Sequence, residues 1–178
     1  MLFCCCGLFD TREAQMPENT RSTFEPPLTA DAVSRNLVNA LIEKNSVNYI
    51  KCLRQDLRYT PDSKSQQIYG EIFRNWNINS EKFYFDNLIA QTNINASSNL
   101  FLSNTVINPI TTDSSILTSD YIVVFQHNLT NIPKSALGKI ILSLNADENN
   151  FYSISRWDDF RKNDTDFTWS ELKANFSN

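Results

Sequence analysis

The spacing of apolar residues changes once along this chain, and that change limits the fold more than any other feature. From Leu28 to about residue 90 they recur every three or four residues, the period of a helix buried on one face. From about residue 97 they alternate, the period of a strand with one face on a core. Helices in one block and strands in the next cannot be wound as alternating βαβ units. The order predicts an α+β domain: N-terminal helices packed on a curved antiparallel sheet of about four strands, with a short C-terminal helix.

Local signals divide the two blocks. Thr29 suits an N-cap, with Asp31 in the first turn at the positive end of the helix dipole. Val33, Leu37, Ala40 and Leu41 then mark a helix over 30–44. After Asn45-Ser46 a second helix is expected to turn Val47, Ile50, Leu53 and Leu57 inward, with Cys52 on it as a small core residue. Leu57 to Thr60 alternates and could form a short strand, closed by Pro61-Asp62. Ser63 reads as the cap of a third helix with Ile68, Ile72, Phe73 and Trp76 on one face. A fourth begins near Ser80, with Phe83, Leu88 and Ile89 inward. Strands are expected at 99–108, 121–129, 137–146 and 151–158, joined by segments rich in turn residues. Trp169, Leu172 and Phe176 place the last helix at 168–176.

The folded domain thus covers 29–178. Residues 1–28 have no periodicity and set Pro17, Pro26 and Pro27 among polar side chains, which reads as a tether. A formal net charge of -4 without a clustered basic face argues against nucleic acid as a partner. Only three glycines are present, and neither a GxGxxG nor a GxxxxGK[ST] pattern occurs. No nucleotide cofactor is expected by those routes. Nowhere do 18 apolar residues run together, so no membrane-spanning helix is expected.

Three stretches resemble landmarks of a group of bacterial lipoproteins of uncharacterised function. One is CGLFDTRE followed by the proline-bearing segment, another is PPLTADAVSRNLVNALIEKNSVNYIKCL, and the third is FYSISRWDDF with TWSELKANF shortly after it. The middle of the chain matches only in pattern. The resemblance implies the cone-shaped fold of the nuclear transport factor 2-like superfamily, in which helices fill the concave face of a bent antiparallel sheet. That superfamily holds isomerases, cyclases, dehydratases and non-enzymatic binding modules, so fold alone names no activity.

The same resemblance makes Cys6 the lipid acceptor, with Leu2 to Cys5 as the remnant of a signal whose charged and apolar parts are missing. Translation starting upstream of Met1, or loss of the signal, would account for that. Other uses of Cys4, Cys5 and Cys6 fit less well. Adjacent thiols cannot all converge on one tetrahedral metal ion, and only Cys52 remains as a disulfide partner. Palmitoylation in a eukaryotic cytosol, or an intracellular domain without lipid, would be the alternatives. The expected role is a membrane-anchored periplasmic lipoprotein on the outer membrane. It would bind a small apolar ligand or a protein partner without catalysis.

An isomerase or dehydratase is the rival expectation. His127, the only histidine, alternates with Tyr121, Val123, Phe125 and Leu129 along one expected strand. On the cone's inner face it would serve as general base, with Tyr121 or Arg156 polarising a carbonyl. Arg156 and Asp158 share one face of the last expected strand, either as a pair in the cavity mouth or as a salt-bridged anchor. Trp157 and Trp169 are expected to pack the C-terminal helix on the sheet.

Overall fold

Thr29 ends an extended entry and starts the first helix. Its hydroxyl oxygen accepts the backbone N–H of Ala32 at 3.1 Å, and α1 runs over Ala30–Ile42. The computed structural model describes residues 23–177. Residues 23–28 lie along α1: the Glu25 N–H donates to the Asn36 side chain at 2.9 Å, and the Pro27 carbonyl accepts from Tyr152 at 2.7 Å. The other 22 residues of the expected tether, Cys4 to Cys6 among them, lie outside the described residues.

Asn45 caps α2, Ser46–Lys51, and β1 follows at Leu53–Thr60. Asp62 caps α3, Ser63–Phe73, and Asn77 and Ser80 cap α4, Ile78–Ala90, reciprocally. Four strands then succeed one another: β2 Ser98–Thr111, β3 Ser114–Phe125, β4 Ser135–Ala146 and β5 Tyr152–Phe160. Thr168 and Glu171 form the box that starts α5, Trp169–Asn175. The strand order is β1-β5-β4-β3-β2. The last four pair antiparallel as a meander, and β1 joins β5 in parallel at the edge. The α+β class, the curved sheet and the short C-terminal helix are those expected.

The details differ in three places, each for a physical reason. Leu53 and Leu57 belong to a fifth strand, β1, and not to the second helix, which ends at Lys51. Residues four apart share a face in a helix and in a strand alike, so the pair could not decide. Tyr59, buried on the same strand face, does. On α4 the inward face is Ile78, Glu81, Tyr84, Phe85 and Leu88, while Phe83 is half exposed. The expected face, Phe83, Leu88 and Ile89, is turned from the observed one by a fraction of a turn. Ile68 and Val47 are likewise exposed. Finally, the pairing of β4 with β5 shifts between Ser143 and Leu144, which leaves Ser155 as a bulge. A bulge swaps the faces of everything after it. Ile154 points inward before it, and Trp157 and Asp159 point inward after it.

The core lies between α1, α2 and α4 and the concave sheet face. Val33, Leu37 and Leu41 meet Leu117, Val123 and Phe125 of β3 and Ile140, Leu142 and Leu144 of β4, all almost without exposure. Gly138 of β4 is required where it stands. A Cβ there would meet the Phe160 carbonyl oxygen at 2.6 Å and the Tyr121 hydroxyl at 2.7 Å. The missing side chain lets Tyr121 lie across β4 towards the interior.

Candidate functional site

The last helix, α5, packs against α3, α4 and β4. Trp169, at the first turn of that helix, packs edge-on against Trp157 with ring centres 4.7 Å apart, and 5.3 Å from Tyr121. Its indole N–H donates to the Tyr84 hydroxyl at 2.9 Å. One turn on, Lys173 carries an ammonium group into the same space.

Lys173 and Glu81 form an ion pair with no exposure on either side chain. Glu81 also accepts the Tyr49 hydroxyl at 2.8 Å on one oxygen and the Trp76 indole N–H at 2.7 Å on the other. Three donors therefore compensate the loss of water around one carboxylate. The ammonium is ringed by aromatics: the centre of Tyr59 lies 3.7 Å away and that of Trp157 4.1 Å. Burial pushes the Lys173 ammonium below the usual lysine range, against the pull of Glu81.

A second buried carboxylate, Asp159, stands behind the first. One of its oxygens accepts the Tyr121 hydroxyl at 2.7 Å, and the other accepts the Ser170 N–H at 2.8 Å and the Ser170 hydroxyl. Since Ser170 gives its only proton to Asp159, the Tyr59 hydroxyl donates to Ser170 across 2.8 Å. Tyr121 in turn accepts the backbone N–H of Trp169 at 2.8 Å. Burial raises the Asp159 carboxyl above its ordinary range, in spite of those donors. Tyr59 thus joins the two carboxylate clusters, its ring facing Lys173 and its hydroxyl facing Ser170.

The mouth is closed by a third cluster. The Asp62 carboxylate accepts from Ser65, from the Thr168 hydroxyl at 2.7 Å and from Arg161 at 3.1 Å. Arg161 also reaches Glu171 at 2.9 Å, which ties α5 to the start of α3. Burial works against the Asp62 carboxylate, yet these bonds outweigh it and hold the group below its ordinary range. Among these buried groups Asp62, Glu81 and Lys173 face opposite charges, whereas Asp159 is held by neutral donors. The buried Trp157 Nε1 has no hydrogen-bond acceptor among the described residues.

Of the residues singled out in the sequence, Tyr121 is in this network. His127 is not. It lies past the end of β3, in an isolated bridge to Thr92, buried against the Phe176 ring at 4.9 Å. Its Nε2–H donates to the Pro133 carbonyl at 3.1 Å, and Nδ1 faces Lys134 at 3.1 Å. A carbonyl can only accept, so the neutral Nε2–H tautomer is fixed. Burial, helped by the nearby Lys134 charge, lowers the His127 pKa. Arg156 and Asp158 pair with each other at 2.8 Å on the outer face of β5, away from the interior. Glu81, Asp159, Ser170 and Lys173 were not foreseen. Cys52 is a core residue whose thiol burial pushes up to about 12, and it donates to the Asn48 carbonyl.

Among the clefts open to solvent outside the cone, two have apolar walls. One, of about 460 Å³, runs between α1 and β2, floored by Val38, Leu100 and Leu102. The other, of about 520 Å³, is bounded by Phe24, Pro26, Pro27, Lys51, Phe151 and Tyr152. Among the described residues no three His, Cys, Asp or Glu side chains are grouped to hold a metal ion. None of the described helices is long and apolar enough to cross a membrane.

No family model matches the sequence, and no curated protein matches it. Solved structures do match. A ketosteroid isomerase-like protein from Erwinia carotovora atroseptica superimposes with a TM-score of 0.55 at 8% identity, over 78% of this chain and 98% of that one. A nuclear transport factor 2-like protein of unknown function in nutrient uptake from Rhodospirillum rubrum gives 0.53 at 7% identity, over 74% and 97%. A hexachlorocyclohexane dehydrochlorinase gives 0.54 at 8%, over 77% and 85%. At such identities the likeness concerns the fold alone. The chain has the nuclear transport factor 2-like fold, which serves enzymes and proteins without known activity alike.

Proposed function

We propose that this chain is a membrane-anchored, non-catalytic binding or scaffolding domain of a bacterial cell envelope. The observation that carries the non-catalytic half is the filled cone. Lys173, Glu81, Tyr121 and Asp159 are the groups that acid–base chemistry would recruit, and each is buried and engaged with another. The rival reading, an isomerase or dehydratase with His127 as base, has less support. His127 is held by Pro133 and Lys134, and Arg156 and Asp158 face outward. A small apolar ligand or a protein partner would then be met on the outer surface.

The anchor rests on the resemblance of CGLFDTRE to lipoprotein N-termini, with Cys6 as acceptor. One acyl chain holds a protein only marginally, so a stable anchor implies the several chains of a bacterial lipoprotein. Gly7, where an aspartate would favour retention at the inner membrane, points to the periplasmic face of the outer membrane.

Intact mass of the protein recovered from its own membranes tests the anchor. A chain beginning at Cys6 with added acyl mass supports it, and an unmodified chain beginning at Met1 overturns it. Incubation with β-hydroxy and unsaturated carbonyl compounds tests the other half. Turnover that vanishes in His127→Ala would overturn the non-catalytic reading.

A further inference from the structure

An ion pair needs no aromatic surroundings, yet Lys173 has five rings about its nitrogen. Besides Tyr59 at 3.7 Å and Trp157 at 4.1 Å, the centres of Trp76, Tyr84 and Trp169 lie at 5.8, 5.9 and 6.0 Å. Significant cation–π pairs occur about once per 70–80 residues in proteins, so five on one nitrogen mark a built environment. The rings come from separate parts of the chain, and only Trp169 travels with Lys173 on α5. The other four, with the Glu81 carboxylate, belong to the body of the domain. A box of ring faces closed by one carboxylate is the chemistry that recognises organic ammonium groups.

We propose that the body of the cone is a cation cage for an alkylammonium group, and that α5 supplies Lys173 as its tethered ligand. Tethering gives Lys173 a high effective concentration, which keeps free cations out of the intact protein. The inference is independent of the anchor and of the outer-surface partner.

Lys173→Ala tests it, because the variant keeps Cβ and vacates a space shaped like n-propylammonium. At about 100 times its half-saturating concentration, n-propylammonium is expected to raise the melting temperature of the variant by roughly 5 °C. The uncharged isostere 1-propanol and potassium chloride at equal concentration should not, and the wild type should not respond to the amine. An equal rise with 1-propanol would mean that the space selects shape and not charge, and would overturn the proposal. So would no rise with the amine. Should Lys173→Ala fail to fold unaided, its refolding yield in n-propylammonium against 1-propanol reads the same selectivity. Equal yields overturn it there.

Discussion

Glu81 and Lys173, 92 positions apart, meet in the interior with water excluded from both. Among the described residues neither charge has another counter-ion in direct contact. Removing one leaves the other buried and unpaired, whereas removing both leaves only the Tyr49 and Trp76 donors to be satisfied. Glu81→Leu and Lys173→Met are each expected to cost about 3–5 kcal/mol, and the double variant clearly less than their sum. Denaturant unfolding of the four proteins of this cycle reads the coupling. Additive losses would refute the pairing.

The outer and inner arginines should behave oppositely. Arg156 is more than half exposed and pairs along its own strand, so Arg156→Ala should change stability by at most about 0.5 kcal/mol. Arg161, only 9% exposed, bonds Asp62 and Glu171 and fastens α5, so Arg161→Ala should cost about 2–3 kcal/mol. Equal effects in chemical denaturation would contradict the assignment of Arg161 to the closure.

Gly138→Ala should be costly although it adds a single methyl group. The new atom would overlap a backbone oxygen, which cannot turn away, and the Tyr121 ring. A loss of about 2 kcal/mol is expected. Near-ultraviolet circular dichroism should change with it, as Tyr121 and the Trp169 stacked on it shift. An unaltered spectrum and melting point would show that the strands part freely.

His127 supplies a pH dependence. Its folded pKa is depressed by burial, with Lys134 beside it. The unfolded chain therefore binds its proton more readily, and the imidazole's contribution to stability is complete above the unfolded value of about 6.5. That contribution declines as the pH falls through this value towards the lower folded one. His127→Gln should flatten the stability curve between about pH 7 and pH 5 relative to wild type. A slope identical in both proteins would remove His127 as its source.

The fold was legible because its main signal is a period, and a period survives ignorance of contacts. The cap at Thr29 and the alternation in β3 and β4 were local matters as well. The interior was not legible, because an apolar period says nothing of the charged residues that share its face. Glu81 lies three residues after Ile78 and seven before Leu88, on the buried face of α4. Lys173 lies four after Trp169 and three before Phe176, on the buried face of α5. Opposite charges on two such faces were the available signal. Asp159 lies two residues after Trp157, which was expected against the last helix, so alternation gave its face. That Ile154 shares this face was hidden, since the Ser155 bulge follows from pairing with β4 and not from anything written in FYSISRWDDF. His127 was expected on β3, but the strand stops at Phe125, which bonds Lys134 where the chain turns back.

The position of α5 in the chain has a consequence for how the protein is made. Helices α1 to α4 and all five strands leave the ribosome before Trp169 does. Until then Glu81 has no ammonium and Asp159 lacks both bonds from Ser170. A nascent chain short of residue 173 therefore lacks the contacts that lock its own core, and stays a substrate for chaperones and proteases up to that point. Synthesis of the last helix, and not of the sheet, is the commitment step.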